Sequence, residues 1–560
     1  MVKKFIDFFS KEFSGLHQAA FLLGVSSLVS QLLGLFRDRL LAHNFGASSE
    51  LDIYYAAFRL PDLIFVSVGS VLAVTVLIPI LVEKIERESV DNVKLFLSSL
   101  LTFFLVAITV VSIVAYFLAP YLIDFVAPGF DLSAKVKLIT LTRILLLSPF
   151  FLGLSNLFGA VTQSNRRFFV YAVSPVLYNL GIISGVLFFY PIFGLNGLVY
   201  GVVLGAAMHF LAQVPTVIKA GFLPGIKFDF SSKDIYSVVR LSLPRTIALG
   251  TNQLAVMALV AMASYMMSGS ISIFNFAYNL QSVPMALIGI SYGVAAFPTM
   301  SKMFSFGQTE KFVSYMAEAL RHIIFWSLPI ATLFIVLRAQ IVRVILGSGN
   351  FNWTHTKLTA ALLAIFALSV VCQSVIQLLE RAYYATGKTL QPVVIKIFSS
   401  VSIVLLAFLF IHLITRYHLG GGFINQTLRV TDVPGSEVLF LGWAFTIGTF
   451  LNALLLWVAF EKDIKINFSS RVTRSIIQSF FCSVVLGIST EISLHVFSTL
   501  LNLKTFWGIF LQGLFSGLLG ILIGFVFLVL VKNEEVTEFS DSINNKLFRR
   551  RPILPGPEQL

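Results

Sequence analysis

The sequence predicts an all-α polytopic membrane protein. About fourteen transmembrane helices are expected, as two pseudo-repeated six-helix lobes around a central cavity plus two extra C-terminal helices. Three observations predict this class. Of 560 residues, 57% are hydrophobic and only 12% charged, with mean hydropathy +0.89, whereas a soluble domain carries about a quarter charged residues. Apolar runs of about 20 residues recur from end to end, and each can cross about 30 Å of hydrocarbon as a helix. Two of those runs also repeat one another. A lipid-exposed open sheet is excluded, because its edges would leave backbone groups unpaired.

The opening "MVKKFIDFFSKEFSGLHQAA" has no short apolar stretch followed by a small-residue cleavage site. It reads as a retained, partly amphipathic lead-in. Spans follow near 19–42, 52–82, 95–119, 138–161, 169–190, 194–217, 240–267, 271–300, 318–338, 358–380, 392–414, 438–460, 472–496 and 505–531. The connection at about 415–437 is rich in Gly and polar residues and reads as an irregular exposed region. If the N-terminus is cytoplasmic, most of the 40 Lys and Arg fall in segments that stay inside, as the positive-inside rule requires. Both termini are therefore expected in the cytoplasm. The net charge of +13 is spread over loops, which points to anionic lipid headgroups and not to nucleic acid.

Span 2 reads "AFRLPDLIFVSVGSVLAVTVLIP" from Ala57 to Pro79, and span 8 reads "AYNLQSVPMALIGISYGVAAFP" from Ala277 to Pro298. With one gap they share an Ala-aromatic-x-Leu start, small residues in the middle and a closing Pro. The links "AVTQSNRRF" and "AYYATGKTL" also match loosely. The expected organisation is therefore 1–220 as an N-terminal lobe, 221–465 as a C-terminal lobe, 466–531 as two added spans and 532–560 as a basic tail. Repeats of this kind are a transporter signature, with the substrate path between halves.

Ionisable residues at membrane depth usually face a bundle interior or a wet cavity. In span 1, Ser27, Ser30, Gln31, Gly34, Arg37 and Asp38 recur at three- and four-residue intervals, so they share a face. Span 2 places Asp52, Tyr55, Arg59, Asp62 and Gly69 likewise, and span 8 places Ser272, Asn275, Asn279 and Ser282 on one stripe. Span 7 begins with Pro244-Arg245. Spans 1, 2, 7 and 8 together predict a hydrophilic cavity offering Arg37, Arg59 and Arg245. Arginine suits phosphate because its planar fork grips oxyanions in a bidentate way. The competing reading is internal pairing, Arg59 with Asp62 or Arg37 with Asp52.

Other chemistry finds no support in the residues. Cys372 and Cys482 lie in apolar runs and read as small core residues. His209 and His322 are isolated in sequence and read as packing or interfacial residues. "ATGKT" at 385–389 ends like a phosphate loop, but the required first glycine is Ala382. No cofactor, metal site or catalytic residue is expected, and the protein reads as a non-enzyme.

The stretch "LLGLFRDRLLAHNFGASSELDIYYAAFRLPDLI…IPILVE" resembles the start of the MurJ (MviN) lipid II flippase family of the MOP exporter superfamily. "APGF" at 127–130, "NRRF" at 165–168, "AAFPTMSK" at 295–302 and "ERAYYATGKTLQPV" at 380–393 follow in register. The resemblance implies transport of a polyprenyl-pyrophosphate-linked glycan, lipid II, from the inner to the outer leaflet by alternating access. It also implies a lipid-tail groove involving spans 13 and 14, and it suggests the cell-wall synthesis machinery as a partner of a monomeric protein. Arg37, Asp38 and Asp52 match functional positions of the family. Gln31, Phe65 and Asn279 stand where the family usually has arginine, so Arg59 and Arg245 are expected to supply the missing charge.

Three alternatives differ in class. A flippase for another polyprenyl-linked glycan, or an antiporter of the same superfamily, would keep the fold. A membrane glycosyltransferase would need acidic residues clustered on one exposed loop, and the acids here are dispersed. A silent scaffold for a cell-wall complex would leave the polar cavity without a use.

Overall fold

A computed structural model describes residues 16–72, 74–165, 167–229, 233–417 and 421–538. The lead-in before Leu16, part of the 415–437 connection and the basic stretch after Glu538 lie outside the described residues. Everything regular among them is helical. The helices are α1 (Leu16–Phe45), α2 (Ser49–Ala57), α3 (Arg59–Val68), α4 (Val74–Arg87), α5 (Val90–Val126), α6 (Leu132–Leu145), α7 (Leu147–Ser164), α8 (Phe168–Ser184), α9 (Tyr190–Phe193), α10 (Leu195–Leu211), α11 (Val214–Lys219) and α12 (Lys233–Ala263). Then come α13 (Ser270–Met285), α14 (Ser291–Ser305), α15 (Thr309–Val336), α16 (Arg338–Leu346), α17 (Trp353–Ala385), α18 (Leu390–Tyr417), α19 (Gly421–Thr427), α20 (Val438–Ile464), α21 (Ser469–Leu500) and α22 (Phe506–Leu530).

Among the described residues, 12 helical segments are long and apolar enough to cross a membrane, and they coincide with the third to fourteenth expected spans. The first expected span is α1. The second is not one helix. It divides into α2, α3, a 3-10 turn at Gly69–Leu72 and α4. The cause of the first break is Pro61. Proline has no N–H, so the carbonyl four residues earlier, on Ala57, loses its helical partner, and α2 ends there. Pro149 does the same to Leu145, where α6 gives way to α7. The repeat-related span 8 also leaves α geometry near its middle, in a π turn at Ala286–Ile290.

Helix starts carry their own caps. Ser48, Ser89, Asp131 and Thr505 accept backbone N–H groups of the following first turns, which satisfies donors that have no partner within the helix. The 415–437 connection is less irregular than its composition suggests, because it contains α19. Lys357 pairs with Asp432 there at 2.7 Å, and this hydrogen bond holds the Asp432 carboxyl below its usual range.

The chain divides into two compact units. The first comprises Met1–Leu280, Ile345–Phe366 and Thr389–Asn452; the second comprises Gln281–Val344, Ala367–Lys388 and Ala453–Leu560. In the first unit, Leu72, Leu77, Leu97, Phe104, Leu157 and Val238 are among the buried residues of one apolar core. Beside it, α8 and α10 pack through glycines. Gly181 and Gly185 meet Gly201 and Gly205 so closely that a Cβ on any of them would run into the facing backbone. Small residues four apart permit such close approach in membranes, where lipid supplies no hydrophobic drive between helices.

In the second unit α22 lies on α21 in the same manner, with Gly520 against Thr490 and Gly524 against Leu486 and Cys482. Cys482 is buried and Cys372 half-buried, and both are free thiols, as expected for core residues. Val536, just beyond α22, packs with Phe325, Cys482 and Leu528.

The α8–α10 contact makes a testable claim about stability. Gly201→Leu is expected to destabilise the purified protein by about 1–3 kcal/mol through overpacking, read as a lower thermal unfolding midpoint in detergent. Leu204→Phe, which alters a residue that is 36% exposed on the same helix, is expected to leave the midpoint unchanged.

Candidate functional site

The site is built from α1 upward. Its polar face carries Arg37 and Asp38 side by side. Arg37 donates from Nε and Nη2 to Asp38 Oδ1, at 2.9 and 2.8 Å. The other carboxylate oxygen accepts from Asn279 Nδ2 of α13 at 3.0 Å. On the other side, Arg37 Nη1 donates to Asn179 Oδ1 of α8 at 3.4 Å. Asn179 in turn donates to Ser30 Oγ at 3.1 Å. One polar chain therefore joins α1, α8 and α13. Asp38 is buried, while the Arg37 side chain keeps 22% exposure.

Arg59 opens α3 and is buried at 8% exposure. Its Nη2 donates to Asn275 Oδ1 of α13, and Asn275 is anchored by donating to the Ile271 carbonyl at 2.7 Å. Among the described residues the Arg59 Nε has no hydrogen-bond partner, and neither does the buried Tyr55 hydroxyl. Asp62 is within electrostatic reach, but among the described residues no carboxylate forms an ion pair with Arg59. Tyr55 lies within electrostatic reach of Arg37, Asp38 and Arg59, so the two guanidinium groups flank one phenol. The competing reading of internal pairing holds for Arg37, with Asp38 in place of Asp52, whereas Arg59 bonds to Asn275 and not to Asp62.

Asp52 is used differently from the sequence-based expectation of a cavity ligand. It is buried at 3% exposure. It accepts from Gly269 N at 2.6 Å, Ser272 N at 2.7 Å and Ser272 Oγ at 2.6 Å. Its carboxylate sits at the start of α13, where free N–H groups and the helix dipole favour negative charge. The chain after α1 is stitched to distant segments at the same end. Asn350 N donates to the His43 carbonyl at 3.0 Å, and Asn350 Nδ2 donates to the Asn44 carbonyl at 2.7 Å. Ala47 N donates to His355 Nδ1 at 3.3 Å, and Gly129 N to Ser264 Oγ at 2.9 Å. Gly46 adopts φ +63° in this knot, and a Cβ there would collide with Asn350, so that position requires glycine.

Arg245 lies on α12 next to Thr246, whose hydroxyl is 2.6 Å from Ser70 Oγ. The Arg245 side chain is half-buried. Gln31 is half-buried on the Arg37 face of α1. Ser282 follows Asn279 by three residues on the same stripe of α13 and is half-buried. The Phe65 ring lies over Gly69 of the 3-10 turn that follows α3, an apolar contact at a position where the resemblance implied arginine. Asn179 and Asn275 complete the site, and only Asn275 was on a predicted polar stripe. A single Asn in the apolar run "SPVLYNLG" was the available signal for Asn179.

His322 is not isolated: its Nε2 is 3.2 Å from Glu538 and its ring stacks on Tyr292. Glu318, His322 and Glu538 bring their ligand atoms within 4.8 Å of one another. The Arg321 guanidinium, which pairs with Glu534, Glu535 and Glu538, already supplies positive charge there. His209 bonds with Ser155 at 2.6 Å, a packing role.

Asp52→Ala would leave the N–H groups of Gly269 and Ser272 without partners. Each buried unsatisfied donor costs about 1–3 kcal/mol, so the variant is expected to unfold at clearly lower temperature and denaturant than Asp52→Asn, which keeps an acceptor oxygen. Equal unfolding of the two variants would contradict this role.

The sequence profile of the lipid II flippase MurJ family matches residues 41–510. The lipid II flippase MurJ of Burkholderia cenocepacia is 26% identical over 424 residues, covering 74% of this chain and 81% of that one. The probable lipid II flippase MurJ of Buchnera aphidicola subsp. Schizaphis graminum is 26% identical over 379 residues, covering 67% and 74%. A solved structure of a lipid II flippase MurJ in an inward closed conformation superposes with TM-score 0.72 at 21% identity, covering 93% of this chain and 100% of that one. An inward-facing multidrug resistance MATE family transporter of the MOP superfamily gives TM-score 0.62 at 14% identity, covering 80% and 98%. These structural likenesses establish the fold, and the profile match establishes the family: the chain belongs to the lipid II flippase MurJ family.

Proposed function

We propose that this protein is a lipid II flippase, carrying a polyprenyl-pyrophosphate-linked glycan from the cytoplasmic to the outer leaflet of the bacterial plasma membrane by alternating access. The observation that carries the chemistry is the Arg59 guanidinium, buried with one neutral partner beside the half-open Arg37–Asp38 pair. A buried cation whose direct partner is neutral, with its nearest carboxylate, Asp62, not in contact, is under-compensated, and a pyrophosphate is the anion that such a flippase must hold. Arg37 and Arg59 bind the diphosphate, with Arg245 of α12 as a third cation. Gln31, Asn279 and Ser282 offer neutral hydrogen bonds to the head, Asp38 orients Arg37, and Asp52 holds the start of α13.

In this reading residues 1–220 and 221–465 act as the two lobes, and α21 and α22 border the polyprenyl tail. The Arg549-Arg550-Arg551 run near the C-terminus is the contact for anionic lipids, and both termini are cytoplasmic. No catalytic step is required, and the protein acts as a monomer beside the cell-wall synthesis machinery. The neutral residues Gln31, Phe65 and Asn279 favour one second reading, a flippase for another polyprenyl-linked glycan.

Complementation separates the two. In a bacterium depleted of its own lipid II flippase, the parent chain is expected to restore growth. Arg37→Ala, inserted at equal level, is expected not to. Failure of a properly inserted parent chain would favour the other glycan, and full rescue by Arg37→Ala would remove that residue from the site.

A further inference from the structure

We infer that Asn179 is a positioning residue for the Arg37 guanidinium; the inference rests on the substrate reading above. An arginine offers five N–H groups in a planar fork. In Arg37, two of them share a single oxygen of Asp38 and a third meets Asn179. Asp38 is the next residue in the chain, so that pair alone leaves the fork free to swing. Asn179 supplies the second, independent point.

Its own orientation is set by chemistry. The Asn179 amide nitrogen donates to Ser30 Oγ at 3.1 Å, and lies 3.3 and 3.2 Å from the Ser30 and Pro175 carbonyls. All of these accept, so the nitrogen belongs on that side and the oxygen faces the guanidinium. The reversed amide would set donor against donor on one side and acceptor against acceptor on the other. The helix carrying it is fixed in turn, because Gly181 and Gly185, on the turns just after Asn179, are locked against Gly201 and Gly205 of α10.

The neutrality of the residue matters. An amide oxygen holds the fork without adding negative charge, so the remaining N–H groups stay available to a diphosphate. A carboxylate in its place would pair with Arg37 and compete with the substrate.

A double-mutant cycle with purified full-length protein and lipid II in detergent tests this. Asn179→Leu is expected to weaken lipid II binding about tenfold, as for loss of a hydrogen bond to a charged group. In an Arg37→Ala background it is expected to cause no further loss. Asn179→Asp, whose second carboxylate oxygen would face the Ser30 and Pro175 carbonyls, is expected to weaken lipid II binding in the parent and by much less in the Arg37→Ala background, whereas a merely structural role would give equal losses in both. A loss from Asn179→Leu that persists in the Arg37→Ala background, or no loss in the parent, would overturn the inference. If Arg37→Ala itself binds lipid II normally, the substrate reading fails and the inference with it.

Discussion

A guanidinium placed inside a membrane protein must find compensation, because water is not there to supply it. Arg37 finds most of its compensation in Asp38 and Asn179. Among the described residues Arg59 is hydrogen-bonded only to Asn275, with Asp62 at a longer electrostatic distance. The difference sets the character of the site: one cation is pre-paired and partly open, and the other is buried with an unmet donor. Such an arrangement is stable only because the surrounding helices are held firmly by other means, and it is useful only if a mobile anion completes it.

Those other means are local and physical. Prolines at 61 and 149 break helices four residues upstream, which lets the polar residues of α2 and α3 turn along the bundle. Glycines bring α8 and α10 into backbone contact, so the helix bearing Asn179 is rigid. Asp52 spends its charge on the start of α13, the helix that carries both Asn275 and Asn279. The buried carboxylate, the knot after α1 and the glycine contact thus all serve to place neutral donors and acceptors around two arginines.

Much of this was legible in the sequence. Long apolar runs announced twelve spans that the structure reproduces, because hydrocarbon thickness dictates helix length. The polar face of α1 and the stripe of α13 followed from helical spacing alone, and Arg37, Asp38 and Asn279 do meet. What spacing could not show was partnership across the chain. Asp52 sits on a polar face by periodicity, yet its partners lie 217 and 220 residues away. Asn179 sat alone in an apolar run, and its value depends on Ser30 and Arg37 opposite it. The division of the second span was readable in principle, since Pro61 removes a bond from Ala57, but its strong hydropathy masked it.

The central claim is that Arg59, which among the described residues has no ion pair and one neutral hydrogen-bond partner, is kept for an anionic substrate. Its most direct test is thermal unfolding of the purified protein and of Arg59→Met, each with and without lipid II. Replacing a poorly compensated buried ion by an apolar side chain of similar length is often neutral or stabilising by about 1–4 kcal/mol. The account predicts that ligand-free Arg59→Met unfolds at or above the temperature of the parent, and that lipid II raises the midpoint of the parent only. A variant that unfolds earlier than the parent and is stabilised equally by lipid II would contradict it.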